Sequence, residues 1–251
     1  MNLSVHFNGI NYIADLLKPI DLSISLHTGA DNVTAWYVDP PRIEPVRMGD
    51  WVGEVASGAA VNFRNVYINP HGHGTHTECV GHISKENYSL NKCLKQFFFT
   101  AAVVTVTPAE QNGDQVILLE TILEKLPVKG TQALVIRTLP NDVSKCSRQY
   151  SNTNPPFLEA AAAAWMAANG IDHLLLDTPS VDKEQDGGKL SAHHAFWKYP
   201  EETRLHATIS ELIYVPESVK DGLYMLNLQI TALENDASPS KPLLFELNPQ
   251  Q

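Results

Sequence analysis

Cysteine is scarce in this 251-residue sequence: Cys79, Cys93 and Cys146 are the whole complement, and no two of them form a Cys-x-x-Cys pair. An odd, scattered set argues against a disulfide framework and against a thiolate zinc knuckle, and a reducing cytoplasm is its default setting. Positive charge is also short, with 18 Lys and Arg against 28 Asp and Glu and a net charge of −10. That balance opposes a phosphate backbone, and no run of Lys and Arg offers a local basic stripe, so the sequence argues against nucleic acid as a partner. No window approaches the roughly 18 consecutive apolar residues of a spanning helix, so no membrane partner is expected. Met1 to Pro19 carries Asp15 inside its apolar stretch and has no basic segment ahead of a long apolar one, so it does not read as a signal peptide. Internal repeats and low-complexity tracts are missing too. What remains is 43% hydrophobic and 18% charged, the composition of an ordinary globular protein. One domain over 1–251 is expected, with a small molecule as its partner.

Histidine is concentrated. The run Asn69 to Ile83, Asn-Pro-His-Gly-His-Gly-Thr-His-Thr-Glu-Cys-Val-Gly-His-Ile, holds four of the ten histidines and a carboxylate in fifteen residues. Neutral imidazoles and carboxylates are preferred ligands of a divalent transition metal, and interspersed glycines let the backbone bend around one ion. His76 and Glu78 are two apart, so on an extended backbone both leave the same face. His82 follows on that face only if the extended backbone continues through Gly81. Cys79 falls on the opposite face and reads as a packed small residue rather than a nucleophile. This segment alone would ligate a metal thinly, so a remote segment should contribute. Two candidates are His193-His194, in Ser-Ala-His-His-Ala-Phe-Trp, and Glu211, in Ile-Ser-Glu-Leu-Ile-Tyr. A polar helix start and the exposed face of a strand are the plain alternatives for these two.

Apolar periodicity outlines the rest. Ile20 to Leu26 alternates strictly and predicts a half-buried strand with Ile20, Leu22, Ile24 and Leu26 inward. Ala101 to Val106, Ala133 to Ile136 and Leu174 to Leu176 predict buried strands, and Leu223 to Ile230 alternates again. Leu243 to Leu247 predicts a final edge strand with Pro242 at its start. Gln115 to Leu126 has helical spacing closed by Pro127 and Gly130. Glu159 to Asn169 is dominated by alanine and followed by Gly170, a helix with its C-terminal stop. Strands with interposed helices predict an α/β protein with a mixed β-sheet core and flanking helices. The stretches 141–156 and 182–189 read as surface loops.

At this level the sequence resembles the metal-dependent cyclase family that includes bacterial kynurenine formamidase (arylformamidase) and isatin hydrolase. Its hallmark is His-x-Gly-Thr-His-x-Asp-x-Pro-x-His. Gly74-Thr75-His76-Thr77-Glu78-Cys79-Val80-Gly81-His82 follows that pattern, with Glu78 at the Asp position and His82 at the final His. Leu134-Val-Ile-Arg137-Thr138 looks like the family's strand ending in Arg-Thr. Gly170 to Asp182 is similar to its Gly-Ile-x-x-x-Gly-x-Asp-Thr-x-Ser-x-Asp stretch, and Asp21-Leu22-Ser23 to its opening strand. The resemblance implies a swivelling β/β/α fold and a divalent metal, Zn or Mn, as one or two ions. It implies His76, Glu78, His193 and Glu211 as ligands, with His193 preferred to His194 because His193-His194-Ala195-Phe196 matches the family's His-x-Ala-Leu. His82 becomes the catalytic acid/base.

Three departures stand out. The family's first histidine falls on Gly72, so the remaining ligand is His71 or His73, with His71 favoured. Glu replaces Asp at 78, and Cys79-Val80-Gly81 replaces a Pro-containing link. Lys198 to Arg204 also looks like an inserted loop able to remodel the pocket. The implied chemistry is attack of metal-activated water on an amide carbonyl, most simply in N-formylkynurenine, with Trp36, Tyr37, Phe63 and Trp197 as candidate aromatic wall. The alternatives are hydrolysis of another aryl amide or an isatin-like cyclic amide, or a non-catalytic metal-containing binding protein. A homodimer or larger homo-oligomer is implied by resemblance alone.

Overall fold

In the computed structural model, which describes residues 1–250, the long β-branched and leucine-rich runs are the strands that lose all contact with water. All six residues of Ala133–Thr138 and all four of His173–Leu176 are buried, as expected of parallel strands covered on both faces. We label the strands of this central sheet β1 (Ile20–Asp21), β2 (His76–Glu78), β3 (Phe98–Val106), β4 (Ala133–Thr138), β5 (His173–Leu176), β6 (Thr208–Glu211), β7 (Gly222–Ile230) and β8 (Ala237–Glu246). Their order is β7-β3-β4-β5-β6-β2-β8, and β8 pairs back onto β7, so seven strands close into a barrel, with β1 added beside β8. β3 to β6 run parallel, whereas β2, β7 and β8 are antiparallel to their neighbours. Closure removes the unpaired edges that an open sheet would expose. The α/β class with a mixed sheet is therefore correct, and its geometry is that of a closed barrel.

Strand alternation divides the core in two. Ala101, Val103, Val135, Leu175, Leu226 and Leu244 meet inside the barrel, joined by Leu22, Cys79 and Leu90. Ala102, Val104, Leu134, Ile136, Leu174 and Ile209 point outward. That outer face is covered by α2 (Leu119–Lys125), α3 (Ala160–Ala168) and α4 (Ser191–Trp197), through Ile122, Ala163, Met166, Phe196 and Trp197. The remaining α-helix is α1 (Leu90–Cys93), which feeds Leu90 into the interior. The small side chains of α3 let it lie close against α4, and Gly170, at φ +74°, ends it as expected.

Three elements differ from the sequence expectation. The strand from Ile20 stops at Asp21, because the Asp21 carboxylate takes the Ser23 N–H and Thr75 Oγ1 takes the Ile24 N–H, leaving Leu22 and Ile24 buried but outside a continuous ladder. The helix expected from Gln115 begins only at Leu119. Asp114–Ile117 instead forms a hairpin with Ala109–Gln111 around Asn112-Gly113, both at positive φ, an Asn-Gly turn signal that outranks the helical spacing. Leu243 to Leu247 is no edge strand: β8 starts at Ala237 and is paired on both sides, and Pro242 lies where its outer partner changes from β2 to β1.

Candidate metal centre

Register on the outer barrel face creates the site. β2 lies between β6 and β8, with His76 opposite Glu211 and Glu78 opposite Ile209. Directly paired residues share a face, so a carboxylate far along the chain lands beside the histidine motif. Thr77 and Ser210 point the other way and bond to each other at 2.7 Å, which pins that register. The third contribution comes from α4. Asp182 accepts the Ala192 and His193 N–H groups at 2.8 and 3.1 Å, capping the first turn, and takes His193 Nδ1 at 2.6 Å. His193 Nε2 is thereby aimed at Glu78 Oε1, 3.2 Å away.

The structure thus brings His71, His76, Glu78, His82, His193 and Glu211 together. Each of His71, His76 and His193 has its outward nitrogen on an acceptor, which places a proton there: Nε2 of His71 on Asp236 (2.9 Å), Nδ1 of His76 on the Gly74 carbonyl (3.0 Å), and Nδ1 of His193 on Asp182. The other nitrogen of each faces a glutamate: His71 Nδ1 lies 3.0 Å from Glu78 Oε2, and His76 Nε2 lies 3.3 Å from Glu211 Oε2. Those two approaches lack hydrogen-bond alignment, and His76 Nε2 and Glu78 Oε2 are buried without a partner. An unmatched buried polar atom costs about 1–3 kcal/mol. Imidazole nitrogens and carboxylate oxygens gathered this closely, with every outward nitrogen already anchored, fit a divalent cation that would take the place of the protons on the inward nitrogens. Three overlapping sets of ligand atoms, His71/His76/Glu78, Glu78/His82/His193 and His71/His82/Asp236, lie close enough to share an ion.

Electrostatics agree with that fit. Burial pulls the His71 imidazole down, but the hydrogen bond to Asp236 and the adjacent Glu78 override it and hold its pKa at about 10. His193 is likewise buried yet raised to about 10 by Asp182 and Glu78. Burial pushes Glu78 up, but the charge of His82 and the hydrogen bond from His193 keep its carboxyl well below the usual range. Without a metal, the cluster of carboxylates holds protons in its place.

The two choices left open in the motif separate cleanly. His73 Nδ1 accepts the Asn69 N–H at 2.8 Å and Nε2 donates to the Asp39 carbonyl at 2.7 Å, so both its nitrogens brace the loop. His194 turns away and donates from Nδ1 to the Tyr199 carbonyl. Gly72 replaces a histidine for a steric reason: a Cβ there would sit 2.7 Å from Val38 Cγ2 and 3.1 Å from the Ala35 carbonyl. Lys198–Arg204 packs back on the body, with Tyr199 against Glu86 and Arg204 against Asp172. Trp197, at the end of α4, is fully buried with its ring 5.4 Å from that of His193, so it backs the centre from inside, and Phe63 is exposed on an outlying hairpin arm. Asp182 and Asp236 carried no role in the sequence reading. Asp182 lies in the Asp-Thr-Pro-Ser-Val-Asp stretch that already pointed to the family, whereas Asp236 sits in a polar turn with no spacing signal.

The sequence profile described as "Putative cyclase" matches residues 20–183. The chain belongs to this cyclase family. Among curated cyclase-family relatives, "Kynurenine formamidase" of Bacillus mycoides (strain KBAB4) is 25% identical over 230 residues, covering 90% of this chain and 96% of the relative. That of Bacillus anthracis is 25% identical over 232 residues, covering 90% and 97%. Among solved structures, isatin hydrolase A from Labrenzia aggregata superposes with a TM-score of 0.65 at 14% identity, covering 93% of this chain and 94% of that one. A structure described as a potential metal-dependent hydrolase with cyclase activity gives 0.64 at 16% identity, covering 91% and 98%. The shared fold thus extends over nearly the whole chain, and Asp182 lies inside the matched segment.

Proposed function

We propose that this chain is a metal-dependent amide hydrolase, a single domain over 1–251 that acts as an arylformamidase and cleaves N-formylkynurenine to kynurenine and formate. The relatives and neighbours support a hydrolase of the cyclase family, and the His/Glu cluster suggests a divalent metal. The observation that carries the reading is the pair of buried, unpartnered atoms His76 Nε2 and Glu78 Oε2 facing a common centre. In this reading His71, His76, Glu78, His193 and Glu211 hold the ion, Zn or Mn, with one or two ions bound. When bound, the ion supplies Lewis-acid polarisation of the carbonyl and acidifies water toward a pKa of about 7.

The chain's own residues supply the rest. His82, with its side chain 31% exposed and Nδ1 3.4 Å from Asp236, takes a proton from the attacking water at Nε2 and returns it to the departing arylamine. Breaking the C–N bond then releases formate and the amine. His82 is the most exposed imidazole of the cluster, ahead of His71 at 20%, whereas His76 and His193 are almost wholly buried.

The test is hydrolysis of N-formylkynurenine by purified protein as isolated, after chelation, and after return of Zn²⁺ or Mn²⁺. Turnover that disappears on chelation and returns with one metal is expected. Failure with every metal, alongside opening of isatin-like cyclic amides, would overturn the formamidase assignment; failure on all amides by a metal-loaded chain would favour a binding protein.

We also propose a cytoplasmic homodimer or larger homo-oligomer. No helix among the described residues is long and apolar enough to cross a membrane. Support for assembly comes from the arm of Arg42–Pro45 paired with Arg64–Tyr67, where Met48, Val61, Phe63 and Val66 are each more than half exposed. Light scattering on the eluting protein is expected to give at least twice the 27.7 kDa chain mass. A monomer at micromolar concentration would remove this proposal.

A further inference from the structure

Asp236 reaches the centre from a turn just ahead of β8, 165 residues along the chain from His71. Its carbonyl accepts the Cys79 N–H at 3.0 Å, and its side chain lies against Gly81. A Cβ at Gly81 would sit 3.1 Å from Asp236 Cβ and 2.2 Å from the Tyr88 carbonyl. Gly81 therefore lets the link between Glu78 and His82 pass close to the Tyr88 backbone and the Asp236 side chain, which gives the Cys79-Val80-Gly81 departure a physical reason. Asp236 Oδ2 is 2.9 Å from His71 Nε2 and 3.4 Å from His82 Nδ1, and the two rings are stacked with centroids 4.3 Å apart at 33°.

A carboxylate only accepts, so the His71 Nε2 against Asp236 keeps its proton, and Nδ1, which faces Glu78, is the nitrogen free to exchange its proton for an ion. Without the carboxylate, a half-turn of the ring about Cβ–Cγ would put Cδ2 where Nδ1 stands and Cε1 where Nε2 stands, and no hydrogen bond on the outer side would oppose the change. We infer that Asp236 is a positioning residue of the centre: it keeps Nδ1 of His71, rather than Cδ2, facing Glu78 and holds His82 beside that ring. It thereby lets a histidine at 71, one residue before the family position, reach the same point. The inference rests on the metal-hydrolase reading above.

The experiment compares wild type, Asp236→Ala and Asp236→Asn as full chains, measuring Zn²⁺ affinity by chelator competition and the histidine ¹⁵N signals of the Zn²⁺-loaded proteins. Affinity is expected to fall about 10–100-fold in the alanine variant, with part of the loss recovered by asparagine, which keeps an acceptor oxygen. The His71 signals should report Nδ1 as the unprotonated nitrogen in wild type and lose that assignment in the alanine variant. Should alanine at 236 prevent folding, the asparagine variant carries both readouts. A wild type that takes up no ion would overturn the metal reading and this inference together. A wild type that binds Zn²⁺, beside folded variants within twofold of it and with unchanged His71 signals, would overturn the inference alone.

Discussion

His82→Ala is expected to keep its metal and lose turnover, whereas Glu78→Ala is expected to lose the metal and with it all activity. The contrast follows from where the two side chains stand. Glu78 is wholly buried at the middle of the cluster, with Oε1 3.2 Å from His193 and Oε2 3.0 Å from His71, so one carboxylate spans two would-be ligands from different elements. Removing it takes away the one carboxylate that both imidazoles face, and with it the negative charge at the middle of the cluster that would hold a cation. His82 stands at the rim, and its Nδ1 is 3.8 Å from Glu78 and closer to Asp236, so its loss leaves the other five donors in place. General acid–base catalysis by a positioned histidine contributes roughly 10²–10⁴-fold, which is the expected fall in kcat. Elemental analysis beside steady-state kinetics decides it. Equal metal loss in both variants would remove His82 from the acid/base role and make it a ligand.

The site was legible in the sequence to the extent that it is local. His76 and Glu78 share a face because two residues of extended backbone put them there, and the strand they form has that spacing. Gly72 and Gly81 were visible only as departures, because the atoms that exclude a Cβ, from Val38, Ala35 and Tyr88, belong to segments that the fold brings in. Whether His71 or His73 faces inward depends on Asp236 and Asp39, both remote, so no local pattern decides it. The same holds for the barrel. Each central strand announces itself by its apolar run, but closure depends on β8 pairing with β7, β2 and β1 in different parts of its length, and Pro242 reads as the sign of an edge. The Asp114–Ile117 strand was missed for the opposite reason: its Asn-Gly turn is a strong local signal masked by a helical coincidence of Ile117, Ile122 and Leu126.

Removing the metal is expected to lower the melting temperature as well as the activity. An ion that binds only the folded chain stabilises it by about 2.7 kcal/mol when free metal stands at 100 times Kd. For a chain of this size that amounts to roughly 5–11 °C. The metal-free protein should nevertheless remain folded. His71 and His193, each raised to about 10, carry protons at neutral pH that partly offset Glu78, Glu211, Asp182 and Asp236, so the charge at the centre is reduced even without an ion. Those protons do not reproduce the missing bonds, because His76 Nε2 and Glu78 Oε2 stay unpartnered in that geometry. Chelator should therefore shift wild type downward and leave Glu78→Ala unmoved, since that variant holds no ion to lose. Scanning calorimetry of both proteins with and without chelator measures the difference. A metal-loaded wild type whose transition does not move would mean that the ion does not prefer the folded chain, and the ligand set proposed here would fall.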